Sequence, residues 1–354
     1  MKEKLNSILR VLIFLCLSGL LLFLAFRKVE FQKIAQALVS AKYGWLVLSF
    51  TFSMFAFFSR ARRWILMIRP LGHNPSFRNT YHAMMTGYLV NFALPRMGEV
   101  SKCVALGKKE KIPVDSLIGT VIVERTFDVI SMLAIMFLMI ILRGDLMGTF
   151  IGDNVIDPLF NKVASPFNSS LVPLVITGIV IAALALAIFL GRKSLMKNPL
   201  FARIAGFIKG IGEGLRSFYR MDNRLEFIFH TIFIWVNYIL MSWVVVFMIP
   251  ATSHLTFADA TFILVIGSLG MSAPVQGGIG AFHWIVSRGL HLVYGISLED
   301  GLAYATLAHE SQFILIALLG AWSFYRLLRG RSTGPGKKED AGSNTVNNIN
   351  DGKK

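Results

Sequence analysis

The sequence predicts an all-α polytopic membrane protein with six full transmembrane helices and two broken, re-entrant hairpins. Three observations carry that reading. The 354-residue chain is 55% hydrophobic, has a mean hydropathy of +0.61, and has only 16% charged residues, against about 25% in an ordinary soluble domain. Six apolar runs are long enough to cross a bilayer, which takes roughly 17–25 residues. Lys and Arg gather in alternate connections between those runs, the positive-inside pattern of a multispanning chain.

The elements follow in order. Residues 8–26 form an apolar run with Lys2 and Lys4 before it and Arg10 at its start, a beginning that resembles a signal peptide. No small-x-small cleavage site follows and Arg27-Lys28 closes the run, so it reads as a first span. Residues 44–66 form the second span. Region 80–107 is apolar but interrupted around Pro95 and Gly98. The runs 116–142, 171–190 and 227–249 are further spans. Region 257–293 is interrupted between Pro274 and Gly280, and 302–325 closes the set. The polar stretch 191–225 is too short for a catalytic domain of ordinary size. Within it, 201–220 mixes apolar and basic residues at helical spacing, as an amphipathic connector on anionic lipid heads or a solvated connector would. Residues 330–354, rich in Gly, Asn, Lys and Ser, are expected to be a disordered inner tail. The organisation is therefore a transmembrane domain over 1–329, with repeats 1–143 and 171–326, and a tail over 330–354.

The net charge of +16 and pI near 10 reflect this topology and not nucleic-acid binding. With the N-terminus inside, segments 1–10, 59–79, 95–115, 191–225 and 326–354 carry 28 of the 36 Lys/Arg. The outer segments 27–43, 143–170, 250–258 and 294–301 carry 6, and Arg125 and Arg288 lie within apolar runs. Both termini are then cytoplasmic. Region 80–107 must enter and leave on the inner side, and 257–293 on the outer side. Irregular backbone at that depth is tolerated where it is buried in protein or lines a wet cavity. Each half reads span, span, broken hairpin, charged span, from opposite sides, which is the inverted repeat of many transporters.

The polar residues inside these runs carry the chemistry. Glu124, Arg125 and Asp128 sit within 116–142, and His309 and Glu310 within 302–325. Ionisable groups at that depth are costly and mark a polar cavity or a substrate path; a structural ion pair that locks packing is the other reading. Glu124 and Asp128 share a helix face, and Arg125 can pair with Asp128 three residues on. Glu124 then takes a partner from elsewhere, with Arg60, Arg63 and Arg96 the candidates. The first break reads Asn91-Phe-Ala-Leu-Pro95-Arg96-Met-Gly98-Glu99. Pro95 cannot continue the helical bonding, and the freed N–H groups and Arg96 could face an anion. The second break reads Ser272-Ala-Pro274-Val-Gln-Gly277-Gly278-Ile-Gly280. Its glycines open a helix whose bare amides and positive dipole end suit phosphate; close packing against another helix is the alternative.

Other signals are weak. His283 and His291 are eight apart with no carboxylate or cysteine to complete a metal set. His309 and Glu310, being adjacent, do not share a helix face. Cys16 and Cys103 offer no disulfide framework. No nucleophile elbow, H-E-x-x-H or P-loop is present, so neither a cofactor nor a soluble-enzyme mechanism is expected.

Four motifs in order, Arg60-Ala-Arg-Arg63-Trp64, Asn91 to Glu99, Glu124-Arg125-Thr-Phe-Asp128 and Pro274 to Gly280, resemble the lysylphosphatidylglycerol synthase transmembrane region, a family also described as flippase-like. The likeness runs over about residues 10–326. In bifunctional bacterial members this region is joined to a cytosolic aminoacyl-transferase domain and is implicated in flipping the modified lipid. Only 28 residues follow Arg326 here, too few for that domain, so the resemblance implies lipid handling without the synthase reaction. Two positions depart from the family pattern. His283 stands where an acidic residue is common, and Lys102 where Arg is common. A changed headgroup preference or loss of transport would follow from such departures. The expectation is a bacterial inner-membrane protein that moves an anionic phospholipid between leaflets. Arg96, Arg125 and the Gly277, Gly278 and Gly280 turn would receive the headgroup, with Glu124 and Glu310 balancing charge or relaying protons. An intramembrane lipid-modifying enzyme, an accessory subunit and a small-solute transporter are the alternatives. A homo-oligomer or a lipid-synthesis partner also stays open.

Overall fold

The computed structural model describes residues 16, 18–27, 29–94, 97–142, 144, 218, 221–273 and 275–329. Among these residues the regular elements are all helical. Residues 18–26 are helical. The helices that follow are α1 (Phe31–Val39), α2 (Gly44–Ile68), α3 (Phe77–Ala93), α4 (Met97–Glu110), α5 (Val114–Leu142), α6 (Arg224–Val246), α7 (Phe257–Met271), α8 (Ala281–Tyr294) and α9 (Leu298–Arg329). Four stretches, Gly44–Leu71, Val114–Leu142, Arg224–Val246 and Leu298–Arg329, are long and apolar enough to cross a membrane. They coincide with four of the six expected spans. The expected span 171–190, the connector 201–220 apart from Phe218, and the tail 330–354 lie outside the described residues, as does much of 8–26. The expected outer connector 27–43 contains a short helix, α1, which buries Ile34 and Ala37.

Local chemistry sets the boundaries. Helix α2 tightens into a 3-10 turn at Arg69–Leu71, with Pro70 inside it and Gly72 left-handed behind it. Ser76 starts α3 by accepting the Asn79 N–H, an N-cap in the usual sense. Leu94 is extended, with φ −132° and ψ 104°, because the Pro95 ring excludes the helical conformation from the residue before it. The first break therefore falls where expected, between α3 and α4. Glu110 Oε1 closes that hairpin, accepting from Ser76 Oγ and Asn79 Nδ2, both at 2.7 Å. A capping box between Thr256 and Asp259 starts α7. The second break runs from Ser272 through a 3-10 turn at Gln276–Gly278, and Gly277, Gly278 and Gly280 all have positive φ, at 56°, 76° and 83°. Only glycine takes that conformation without strain.

Helices α2 and α6 share the most extensive packing, α4 lies along α3, and α9 packs on both α3 and α8. One apolar core joins Trp64, Met84, Leu106 and Leu117 with Phe227 of α6. Another joins Phe262, Ile266, Val286, Leu290 and Leu302. Phe137 and Ile141 of α5, Phe229 and Ile232 of α6 and Leu318 of α9 face outward, as lipid-contacting side chains would. The order long helix, broken pair, long helix appears in α2–α5 and again in α6–α9.

Candidate functional site

The charged residues of α2 and α5 meet. Arg60 and Arg63 are one turn apart on α2, and Glu124 and Asp128 one turn apart on α5, so two cations face two anions. Arg60 bridges both carboxylates, with Nη1 3.4 Å from Glu124 Oε1 and Nη2 2.9 Å from Asp128 Oδ2. Arg63 Nη2 lies 2.6 Å from Asp128 Oδ1 and 3.9 Å from Glu124 Oε1. Lys102 of α4 reaches Glu124 Oε2 at 2.5 Å and stacks 4.4 Å over the Trp64 ring. Trp64 in turn donates from Nε1 to Thr120 Oγ1 at 2.8 Å. Arg60 also donates to Tyr88 Oη at 3.1 Å. Glu124 is sealed, with 3% of its side chain exposed.

Arg125 behaves differently. Its side chain is 42% exposed, and its three carboxylate contacts are all long: 3.5 Å to Asp128, 3.6 Å to Glu124 and 3.7 Å to Glu99. The intrahelical Arg125–Asp128 pair thus exists but is the longest of the Asp128 contacts, since Arg60 and Arg63 hold that carboxylate more closely. Among the described residues the cluster has four cations (Arg60, Arg63, Lys102, Arg125) and three carboxylates (Glu99, Glu124, Asp128) within these contacts. One positive charge is left over. The Nε atoms of Arg60, Arg63 and Arg125 are buried and have no hydrogen-bond partner among the described residues.

The two breaks converge. Phe92, at the end of α3, stacks on Phe313 of α9 with ring centroids 3.9 Å apart. A Cβ on Gly277 would stand 3.8 Å from both rings. Beside this contact lies a cavity of about 550 Å³. Arg60, Arg125 and Asp128 form its charged end, Val129, Met132, Met241 and Ile316 line apolar wall, and Gly277 and His309 lie at the second break. That mixture suits an amphipathic occupant, with one polar end and an apolar body.

Other expected residues take structural positions. Asn91 Oδ1 accepts the Gly98 N–H at 2.7 Å, bracing the first break across its own hairpin. Gly98 is needed because a Cβ there would meet the Gly87 carbonyl and the Asn91 side chain. Gly280 approaches the helix of residues 18–26, where a Cβ would come 2.8 Å from Leu22 N and 2.9 Å from Ser18 O. The close packing weighed for these glycines is present at Gly280. The Gly278 N–H points to Val275 O at 3.4 Å, within the turn. Pro95 and Arg96 lie outside the described residues.

A second cluster sits at the second break. His309 Nε2 contacts Gly277 O at 2.7 Å, and His309 Nδ1 contacts Glu310 Oε1 at 2.9 Å. Adjacent positions on a helix are not expected to meet, and here the two side chains do, at 2.9 Å. His283 Nε2 is 3.6 Å from the same Glu310 oxygen. His283 was set aside in sequence for want of a carboxylate partner, and Glu310 supplies one across the α8–α9 interface. Lys102 stands out in sequence only as a departure from the family pattern, not as the main partner of Glu124 that the structure makes it. Its signal was a lone cation between Val100 and Val104, three residues after Glu99.

The family model for the lysylphosphatidylglycerol synthase TM region matches residues 7–320. Over 119 residues the chain is 28% identical to a UPF0104 membrane protein of Methanocaldococcus jannaschii. That match covers 33% of this chain and 35% of the relative, so it spans about a third of each.

Proposed function

We propose that this chain, which belongs to the lysylphosphatidylglycerol synthase transmembrane-region family, moves an anionic phospholipid between the leaflets of the membrane it spans. The observation that supports the reading most is the cavity of about 550 Å³, charged at the Arg60–Arg125–Asp128 end and apolar along Val129, Met132 and Met241. Arg125 is the headgroup receptor. It is the most accessible cation of the cluster and its carboxylate contacts are too long to satisfy it, so a lipid phosphate can take its donors as a charge-assisted bond. The surplus positive charge of the cluster favours an anionic ligand. Glu124, held by Lys102 and Arg60, keeps the cations in place and does not itself meet the lipid. Acyl chains stay in the bilayer beside the apolar wall.

The two halves act as inverted repeats whose breaks hinge against each other at Phe92 and Gly277, with both termini cytoplasmic in a bacterial inner membrane. Partner lipids are bilayer phospholipids, and oligomerisation is not required by the mechanism.

The test is reconstitution into vesicles with a fluorescent phosphatidylglycerol and a membrane-impermeant quencher. Wild-type protein speeds transfer between leaflets. Arg125→Gln slows it about ten-fold, the scale of one charge-assisted hydrogen bond. Wild-type transfer no faster than in empty vesicles, or an unaffected Arg125→Gln variant, would overturn the assignment.

A further inference from the structure

We propose that His283, His309 and Glu310 form a binding site for a divalent transition metal of the zinc class at the second helix break, independent of whether the chain moves lipid.

The ligand atoms of the three side chains all lie within 4.8 Å of one another. The individual separations are 2.9 Å from His309 Nδ1 to Glu310 Oε1 and 3.6 Å from His283 Nε2 to the same oxygen. Atoms bound to one tetrahedral zinc at about 2.0–2.2 Å stand roughly 3.3–3.5 Å apart. These two separations bracket that value, and the third, between the two imidazoles, is within 4.8 Å.

The tautomer of His309 strengthens the case. Gly277 O is a carbonyl and can only accept, so the His309 nitrogen 2.7 Å away must be Nε2–H. In the neutral ring Nδ1 then carries a lone pair, and that lone pair faces a carboxylate oxygen at 2.9 Å. A proton shared between these two atoms or a metal ion bound to both reconciles them at that distance, and the titration below separates the two. A metal-bound imidazole donates its other N–H to a carbonyl in the same way, and Gly277 provides that carbonyl.

His283 is the independent observation. Its side chain is only 4% exposed. Its Nδ1 has no hydrogen-bond partner among the described residues, and its Nε2 stands just beyond hydrogen-bond distance of Glu310. A ring nitrogen aimed at a carboxylate from just beyond hydrogen-bond distance, as His283 Nε2 is, is placed as a ligand would be; the orphaned Nδ1 is the ring's other nitrogen and would not bind the ion. Two imidazoles and one carboxylate are a borderline donor set that suits zinc over magnesium or calcium. Three protein ligands leave a coordination position open. Glu310 is 39% exposed and His309 lines the cavity, so the ion has a route in.

The experiment uses tag-free full-length protein in detergent, stripped of metal and then titrated with cobalt(II) and, separately, zinc(II). The expected result is the visible band of four-coordinate cobalt at a single ion per chain, displaced by zinc. His283→Gln and Glu310→Gln each abolish the band. His291→Gln keeps it, because His291 lies on α8 away from the cluster with Nδ1 directed to Ile296 O. Folded, monodisperse wild-type protein that gives no band would overturn the proposal and leave the His309–Glu310 contact as a proton-bridged pair. Metal retained equally in His283→Gln and Glu310→Gln would overturn it as well, by placing the ion elsewhere.

Discussion

Lys102 Nζ lies 2.5 Å from Glu124 Oε2, with both side chains buried, and this contact joins the first broken hairpin to the charged helix α5. Removing one partner of a buried pair typically costs about 3–5 kcal/mol because the other charge is stranded. Lys102→Met should therefore lower stability by about 3 kcal/mol, the low end of that range, since Arg60 still stands 3.4 Å from Glu124. Glu124→Gln should cost more, because it removes the anion that Lys102, Arg60, Arg63 and Arg125 share. Thermal unfolding in detergent gives the order. A Lys102→Met variant less stable than Glu124→Gln would overturn the role of Glu124 as the anion those four cations share.

Asp128 and Arg125 should separate architecture from ligand binding. Asp128 is shared by two buried guanidinium groups, at 2.6 Å and 2.9 Å. Asp128→Asn leaves Arg63 with a carboxylate only at 3.9 Å and Arg60 with one at 3.4 Å, and should destabilise the protein by about 3 kcal/mol or more. Arg125 is partly exposed and has no ion-pair contact shorter than 3.5 Å among the described residues. Arg125→Gln should cost under about 1 kcal/mol, as for exposed pairs. Comparable losses of stability in the two variants would contradict the division of roles.

The α3–α4 hairpin depends on the closeness of Gly87 and Gly98. A Cβ on Gly87 would come 2.6 Å from the Gly98 carbonyl oxygen and 2.9 Å from Lys102 Cβ. Gly98→Ala forces the helices apart and should cost about 1–3 kcal/mol, the usual range for overpacking. Gly119 in α5 has nothing within 4 Å of where a Cβ would stand. Gly119→Ala should instead stabilise by up to about 1 kcal/mol through helix propensity. Parallel denaturation curves test both signs together.

Much of this arrangement was legible in the chain, and the reasons are local. The spans 44–66, 116–142, 227–249 and 302–325 announce themselves by length and hydropathy, which depend only on nearby residues. Both breaks fall where Pro95 and the Gly277–Gly280 run place them, because those residues restrict or free their own backbone. Arg60 and Arg63 are candidates for Glu124 in sequence as cations at the inner end of the second span. Partner choice was less legible. Lys102 reaches Glu124 only because the hairpin folds back, and His283 meets Glu310 only because α8 packs on α9. Asn91 reads in sequence as a candidate ligand, and its bond to the Gly98 N–H at 2.7 Å across the hairpin is a contact that spacing along one helix does not report. Such pairings are set by tertiary geometry, which spacing along one helix cannot report.

The cavity itself yields the last expectation. Ser268 on α7 lines it, and its hydroxyl already donates to Leu264 O at 2.7 Å, so the side chain contributes little to packing between helices. Ser268→Phe places a ring in the space proposed for the lipid while leaving the charged cluster untouched. Lipid transfer in vesicles should fall about ten-fold or more, equivalent to roughly 1.4 kcal/mol on the barrier. The unfolding temperature should stay close to wild type, because the ring enters open volume and not a filled core. Leu318→Phe on the outer face of α9, where Leu318 is exposed, adds similar bulk outside the cavity and should leave transfer unchanged. If the two variants behave alike, lipid passes by another route and the cavity is not its path.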